Sequence, residues 1–327
     1  MQPLVFAPFL RPTVWGGQNL AELFGKPLPD SGRYGESWEI SSHPLHVSRV
    51  AEGPLQGRLL SELCRDYSRE LFGQARAVDQ PFPLLVKLLD CQELLSIQVH
   101  PTDEQARQLA GEMYGKTEAW VVLQAAPGAR IEAGFHPGVT RDEVERRLAE
   151  GTLEEALHGF TPRPGDCVFL PAGVVHAVGG GVVLFEVQQS SDATFRLYDW
   201  KRVGTDGKPR PLHIPQALAS IAWQAGPARP VTPVVLESSS PGLRVEQLVR
   251  CPYFQLDRVT LAGSARMCFD QLSIWFVLDG AVRLTTSAGY QRPFQRGETV
   301  LIPAATSEVE WHPSVPTTLL RVTASSD

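Results

Sequence analysis

The stretch Arg163-Pro-Gly-Asp-Cys-Val-Phe-Leu-Pro-Ala172 points to the fold, because a similar stretch returns later as Gln295-Arg-Gly-Glu-Thr-Val-Leu-Ile-Pro-Ala304. Both place a Gly-acid turn before a short apolar strand that ends in Pro-Ala. Upstream of each copy, Glu118-Ala-Trp-Val-Val-Leu123 is echoed by Ser273-Ile-Trp-Phe-Val-Leu278. Internal similarity of this kind indicates repeated units, and we predict two related β-barrel units. The 28 glycines and 27 prolines fit a β-rich fold with frequent turns.

The boundary between the two units is predicted from length and composition. The chain has 327 residues, which is long for one domain. Residues 224–232 contain two prolines, one glycine and no strong pattern, so this segment is the predicted linker. We therefore predict an N-terminal catalytic region over residues 1–223 and a C-terminal barrel over residues 232–327.

Short segments predict the secondary structure around the barrels. Paired strands are expected at 82–89 and 93–100, and helices near 59–72 and 214–223. Two further helices are expected after Thr102 and Thr140, because each threonine is followed three residues later by Gln or Glu in a capping-box pattern.

Composition excludes several classes of protein. A net charge of −6 argues against a nucleic-acid partner or an acidic membrane surface. Five scattered cysteines without a CxxC pair indicate reduced thiols, and we predict a cytoplasmic protein. The N-terminus has no signal-peptide pattern and no apolar run reaches eighteen residues, so no membrane span is expected. A monomer and a dimer both remain open.

Three short stretches carry side chains that could bind a metal. They are Ser96-Ile-Gln-Val-His-Pro101, Gly115-Lys-Thr-Glu118 and Pro171-Ala-Gly-Val-Val-His176. Together they offer one amide oxygen, two imidazoles and one carboxylate, which can form the ligand shell of one divalent metal. A single histidine or glutamate is more often a surface or core residue. The set is more specific, because each member lies at the end or on the inner face of a β-rich segment.

The second repeat lacks these side chains. Ser273 and Glu308 stand where the first repeat has Glu118 and His176. We therefore predict that the C-terminal barrel is degenerate and carries no metal.

Five motifs, in order, resemble those of the type I mannose-6-phosphate isomerases. They are FPLLVKLLD (82–90), LSIQVHP (95–101), GKTEAW (115–120), PAGVVHAV (171–178) and FEVQQSSDATFRLYDW (185–200). The segments WGG and GESWEIS near the N-terminus are similar to those of the compact bacterial branch of this family. The resemblance implies a mainly β, cupin-type double β-barrel (jelly-roll) with a small helical part. It also implies a zinc-dependent interconversion of mannose 6-phosphate and fructose 6-phosphate, with a sugar phosphate as the small-molecule partner.

The resemblance also implies roles for individual residues. One zinc per chain would be bound by Gln98, His100, Glu118 and His176. The residues implied in catalysis or substrate binding are Ser96, Lys116, Glu186, Asp192 and Arg196. The chain departs from the longer family members in two ways: Gly115 replaces a histidine, and a large helical insertion is absent, so the resemblance does not define the phosphate pocket.

Aldose–ketose isomerisation explains why such residues would be needed. A proton moves between C1 and C2 through an enediol or enediolate, so the site needs a base and a positive charge near the developing oxyanion. Arg196 can supply the charge, and Glu186 or Asp192 can move the proton. Asp192 follows two serines and could equally cap a turn. The cations available for a phosphate are Arg11, Lys87, Lys116, Lys201 and Arg202.

Two other functions remain possible from the sequence. One is a non-catalytic cupin that binds sugar phosphates. The other is a metal-dependent cupin oxidoreductase, because His100, Glu118 and His176 alone satisfy the two-His-one-carboxylate pattern of iron oxygenases. Gln98 and the nearby cations favour a redox-inactive metal and an anionic substrate.

Overall fold

The protein is mainly β, as predicted. The computed structural model describes residues 1–77, 80–204, 207–237 and 242–325. Strands account for 43% and helices for 15%. The helices are α1 Asn19–Phe24, α2 Leu60–Asp66, α3 Ser68–Phe72, α4 Asp103–Leu109, α5 Arg141–Glu150 and α6 Ile214–Ser220, with a 3-10 turn at Leu153–Ala156. Within the described ranges, none of these helices is long and apolar enough to cross a membrane.

The first barrel is built from two sheets and an additional two-stranded ribbon. Its strands are β1 Phe9–Gly17, β2 Tyr34–Ile40, β3 Ser42–His43, β4 His46–Val47, β5 Leu84–Cys91, β6 Ile97–Val99, β7 Glu118–Ala125, β8 Arg130–Phe135, β9 Leu157–Phe160, β10 Cys167–Leu170, β11 His176–Gly179, β12 Val182–Gln189 and β13 Phe195–Tyr198. One sheet has the order β1-β2-β5-β12-β7-β10 and the other β13-β6-β11-β8-β9. Buried apolar side chains of both sheets, such as Leu184 and Ile131, fill the space between them.

The second barrel repeats this plan with fewer strands. They are β14 Val234–Leu236, β15 Leu243–Arg250, β16 Phe254–Leu261, β17 Ala265–Cys268, β18 Ser273–Asp279, β19 Ala281–Thr286, β20 Gln291–Gln295, β21 Thr299–Ile302, β22 Glu308–Pro313 and β23 Thr317–Ala324. The sheet orders are β14-β15-β16-β23-β18-β21 and β17-β22-β19-β20.

The two quoted repeats occupy equivalent places in their barrels. Glu118 pairs with Leu170 in the β7–β10 ladder, and Ser273 pairs with Ile302 in the β18–β21 ladder. Leu170 and Ile302 are the same position of the repeat. A shared apolar core also joins the two barrels, with the rings of Phe185 and Phe276 5.0 Å apart. The predicted boundaries, 1–223 and 232–327, stay a prediction.

Of the two predicted capping boxes, the one at Thr102 is complete and the one at Thr140 is only half formed. Thr102 caps α4 as expected: the Gln105 N–H donates to Thr102 Oγ1 (3.4 Å) and the Thr102 N–H donates to Gln105 Oε1 (3.0 Å). Thr140 caps α5, but the Glu143 carboxylate pairs with Arg147 at 2.9 Å.

Two predicted elements are broken or shortened. The helix expected at 59–72 is wrong as a single element, because Tyr67 leaves helical geometry (φ −132°) and separates α2 from α3. The strand expected at 93–100 is shortened to β6, because Glu93 and Leu95 donate single hydrogen bonds, to Trp15 O and Val178 O, instead of joining a ladder.

Candidate active site

Three of the predicted ligand side chains meet inside the first barrel. His100, Glu118 and His176 are at most 2% exposed, and their ligand atoms lie within 4.8 Å of one another. Each histidine Nε2 is 3.5 Å from one carboxylate oxygen of Glu118. Glu118 comes from one sheet and the histidines from the other, so the cluster depends on how the two sheets pack together.

Strand register places Gln98 and Arg196 beside this cluster. In the five-stranded sheet, Arg196 of β13 lies opposite Gln98 of β6, and Gln98 lies opposite His176 of β11. Partners in antiparallel strands have neighbouring side chains on the same face. Arg196, Gln98 and His176 therefore form a row across three strands.

Hydrogen bonds fix the orientation of both imidazoles. His100 Nδ1 donates to Ala193 O (2.8 Å) and His176 Nδ1 donates to Val174 O (2.9 Å), which leaves each Nε2 lone pair directed toward Glu118. Burial lowers the pKa of His176 to about 4 and the pKa of His100 well below its ordinary value. Both rings are thus neutral near pH 7, the form that binds metals.

The donor set fits a divalent cation. Glu118 Oε1 is buried and has no hydrogen-bond partner among the described residues. The Lys116 ammonium lies in the cluster, 3.0 Å from His100 Nε2 and in contact with Glu118. The Lys116 ammonium thus contacts two of the three side chains of the cluster. Gln98 Nε2 is 3.3 Å from His176 Nε2, and Ser96 Oγ donates to Gln98 Oε1 (3.0 Å).

A cavity of about 350 Å³ opens beside the cluster. Nearly all the predicted site residues outside the His–Glu–His cluster line it. The charged and polar side chains among its lining residues are Arg11, Thr13, Glu36, Lys87, Ser96, Gln98, Lys116, Glu186, Asp192, Thr194, Arg196 and Arg210.

A second row of paired residues, in the six-stranded sheet, contributes Lys87, Glu186 and Trp120 to the wall of this cavity. Trp38, Lys87, Glu186 and Trp120 are successive partners across β2, β5, β12 and β7. Trp120 Nε1 donates to Glu186 Oε2 (2.8 Å), and Lys87 Nζ is 3.6 Å from Glu186 Oε1. Glu186 is 3% exposed and thus faces the cavity, not the solvent.

Asp192 is more exposed than Glu186, with 22% of its side chain accessible against 3%. Arg11 Nη1 is 3.3 Å from its carboxylate and Lys87 Nζ is 3.9 Å away. Burial would raise the pKa of Asp192, but Lys87 and Arg11 outweigh burial and hold it below the ordinary value. Burial likewise opposes the charged form of Lys87, yet Glu36 and Glu186 raise its pKa above the ordinary value. Lys87 and Asp192 are therefore both charged near pH 7.

Comparison with known proteins now assigns the chain to a family. The family model described as phosphomannose isomerase type I, catalytic domain, matches residues 5–119. The chain is 36% identical over 308 residues to the mannose-6-phosphate isomerase ManA of Bacillus subtilis (strain 168), covering 94% of this chain and 95% of that protein. This chain belongs to the type I phosphomannose isomerase family.

Other relatives of the family agree. A mannose-6-phosphate isomerase of Streptococcus mutans is 36% identical over 305 residues, with 92% of each chain covered. The crystal structure of the mannose 6-phosphate isomerase from Bacillus subtilis superposes with a TM-score of 0.90 and 31% identity, covering 98% of this chain and 99% of that chain. The predicted cupin-type double barrel is thereby confirmed. A mutant phosphomannose isomerase from Salmonella typhimurium shares the fold at 18% identity and a TM-score of 0.76, with all of both chains covered.

One difference from longer family members has a steric reason in this chain. At Gly115, a Cβ atom would lie 2.5 Å from the carbonyl carbon of Thr102 and 2.6 Å from the carbonyl oxygen of Pro101. The Gly115 N–H also donates to Asp103 Oδ1 at 2.7 Å. No side chain fits at this position, so the residue expected there in longer phosphomannose isomerases has no counterpart here.

The sequence did not indicate Glu36 or Arg210 as site residues. It also did not distinguish which of the five predicted cations lie at the site. Glu36 accepts a hydrogen bond from Trp38 Nε1 (2.7 Å) and lies 3.5 Å from both Arg11 and Lys87. The alternation in GESWEIS could have placed Glu36 and Trp38 on one strand face. Among the predicted phosphate-binding cations, Lys201 and Arg202 do not appear in the cavity lining, whereas Arg11, Lys87 and Lys116 do.

Proposed function

We propose that this protein interconverts mannose 6-phosphate and fructose 6-phosphate with one bound zinc ion. The observation that carries the proposal is the buried His100–Glu118–His176 cluster, which adjoins a cavity lined by carboxylates and cations. The named activity of relatives that align along nearly the whole chain supports the same reaction.

The zinc would be held by the two histidines and Glu118, with Gln98 as the fourth and weaker ligand. This combination of neutral imidazoles, a carboxylate and an amide suits zinc. When bound, the metal supplies positive charge that polarises a substrate oxygen.

The chain's own groups would carry the proton transfer. Glu186 or Asp192 takes the proton from one carbon and returns it to the next, so that an enediol or enediolate forms in between. Arg196 and Lys116 would donate hydrogen bonds to the oxygen on which negative charge develops. Lys87 lies near both carboxylates, and together with Arg11 it holds the pKa of Asp192 below its ordinary value. Each well-placed general acid or base typically contributes about 10²–10⁴-fold.

Fructose 6-phosphate formation from mannose 6-phosphate, measured together with metal content, tests this proposal. Zinc-loaded protein should turn over the sugar phosphate, and the chelated protein should not. Tight binding of mannose 6-phosphate without turnover would instead favour a binding protein. Oxygen-dependent turnover by iron-loaded protein would favour an oxidoreductase. A cytoplasmic location stays a prediction from the scattered cysteines, all five of which are free thiols.

A further inference from the structure

A cluster of arginines surrounds one carboxylate at the edge of the cavity. Asp199 directly follows β13 and is 5% exposed. Arg210 Nε donates to Asp199 Oδ2 at 2.7 Å, and a second N–H of Arg210 contacts Asp199 Oδ1. Arg202 Nη2 donates to the same Oδ1 at 2.8 Å.

The two arginines that share Asp199 differ in where they lie. Arg210 lines the cavity, together with Gln98 and Lys116 of the metal-ligand region, whereas Arg202 is not among the lining residues. Asp199 takes two of the five N–H donors of Arg210 and fixes the plane of its guanidinium. The other three N–H donors of Arg210 do not bond to Asp199.

Arg196 adds a further positive charge beside Arg210. Its Nε is buried and has no hydrogen-bond partner among the described residues. Burial and the neighbouring charge of Arg210 lower the pKa of Arg196 below its ordinary value. Arg196 and Arg210 line the same cavity, and the mutual repulsion of their positive charges costs free energy that an anionic substrate would offset.

The chemistry of this cluster matches a phosphate monoester. Such a group carries about −1.5 to −2 charge at pH 7 and presents several strong acceptor oxygens. The planar fork of arginine matches phosphate geometry with two parallel hydrogen bonds. Among the described residues, Arg202 and Arg210 both pair with Asp199, so one carboxylate faces two guanidinium groups. Arg196 and Arg210 both line the cavity.

We infer that Arg210, which is held in place by Asp199 and lines the same cavity as Arg196, binds the phosphate group of the sugar substrate. The inference rests on the proposed function and adds a residue that neither the motifs nor the predicted cations included. The sugar carbons would then lie between Arg210 and the metal-ligand cluster, with the carboxylates Glu186 and Asp192 beside them.

The test compares Arg210→Gln with the matched control Arg202→Gln in zinc-loaded, full-length protein. Both substitutions remove a guanidinium from the same Asp199 carboxylate, but only Arg210 lines the cavity. In Arg210→Gln, KM for mannose 6-phosphate should rise at least 10-fold while kcat changes little, because the phosphate contact is the same in ground and transition states. The inhibition constant of inorganic phosphate should rise in parallel. Arg202→Gln should keep both values within about 2-fold of wild type.

Zinc content and the thermal unfolding midpoint of each variant establish that it is folded and loaded. A folded Arg210→Gln protein with wild-type KM and wild-type phosphate inhibition would overturn the inference. So would weaker phosphate inhibition with an unchanged KM, because Arg210 would then belong to a separate anion site. If wild-type protein does not isomerise mannose 6-phosphate, the proposed function fails by itself. Calorimetric titration with mannose 6-phosphate and inorganic phosphate then decides the role of Arg210: about 10-fold weaker binding of both in Arg210→Gln supports it, and unchanged binding refutes it.

Discussion

Arg196 and Gln98 are direct partners in the pairing of β13 with β6. Because Gln98 also pairs with His176, the arginine stands one strand away from the metal-ligand residues and points to the same face. A slip of one residue in this register would turn Arg196 to the opposite face of the sheet. Backbone pairing alone therefore sets the position of Arg196 relative to the proposed metal ligands.

This placement predicts a specific kinetic defect for Arg196→Lys. Lysine keeps the charge and loses the planar fork, so zinc content and fold should persist while kcat/KM falls by about 10²-fold or more. Steady-state kinetics on mannose 6-phosphate at saturating zinc measures the effect. Wild-type kinetics in this variant would remove Arg196 from the mechanism.

His176→Ala should remove most of the bound metal and the activity together. The substitution deletes an imidazole whose Nε2 faces Glu118 and leaves His100 and Glu118 as the remaining members of the described cluster. Elemental analysis of the purified variant measures the loss, and exposed His136→Ala serves as the control. Full metal occupancy in His176→Ala would refute the site.

The two carboxylates proposed as the base, Glu186 and Asp192, should differ in the kinetic effect of their substitution. We expect the residue that moves the proton to lose about 10²–10⁴-fold in kcat when replaced by its amide, as Glu186→Gln or Asp192→Asn, with zinc retained. The partner substitution should have a smaller effect, because it changes only the charge near Lys87. Near-normal kcat in both variants would show that neither carboxylate is the base.

The C-terminal barrel should bind no metal, so that loaded protein holds one zinc per chain. Ser273 accepts a hydrogen bond from Trp275 Nε1 (2.8 Å), and the buried rings of Trp275 and Trp311 lie 5.0 Å apart in the barrel interior. Ser273→Ala should leave the zinc stoichiometry unchanged. A second zinc equivalent lost in that variant would contradict this account.

A buried ion pair of the N-terminal region, which also accepts a hydrogen bond from the second barrel, predicts a large effect on stability. Glu39 accepts hydrogen bonds from Lys26 Nζ (2.7 Å), Ser37 Oγ (2.7 Å) and Thr299 Oγ1 (3.1 Å) of β21. Glu39→Ala should lower the free energy of unfolding by about 3–5 kcal/mol, because Lys26 is left buried without its partner. The double substitution Lys26→Met with Glu39→Met should cost less. Denaturant unfolding measures the free energy of unfolding of both variants. A loss below about 1 kcal/mol in Glu39→Ala would contradict this prediction and would show that water can take the place of the Glu39 carboxylate beside Lys26.

The sequence predicts those parts of the molecule that depend on local patterns. The strand at Cys167–Leu170 follows from a turn and an apolar run, and the Thr102 cap follows from a four-residue motif. The row formed by Trp38, Lys87, Glu186 and Trp120 depends on pairing between strands far apart in the chain, which no local pattern contains. Arg210 lies outside the strands, and its hydrogen bond to Asp199 holds it at the site. Neither periodicity nor a short motif therefore indicates it.

The most direct test of the account is a zinc titration of metal-free protein, with fructose 6-phosphate formation from mannose 6-phosphate as the readout. Metal-free protein should be inactive, and activity should rise linearly with zinc and reach a plateau at one equivalent per chain. Full activity without metal, or no activity at one bound equivalent, would contradict the proposed role of the His100–Glu118–His176 cluster.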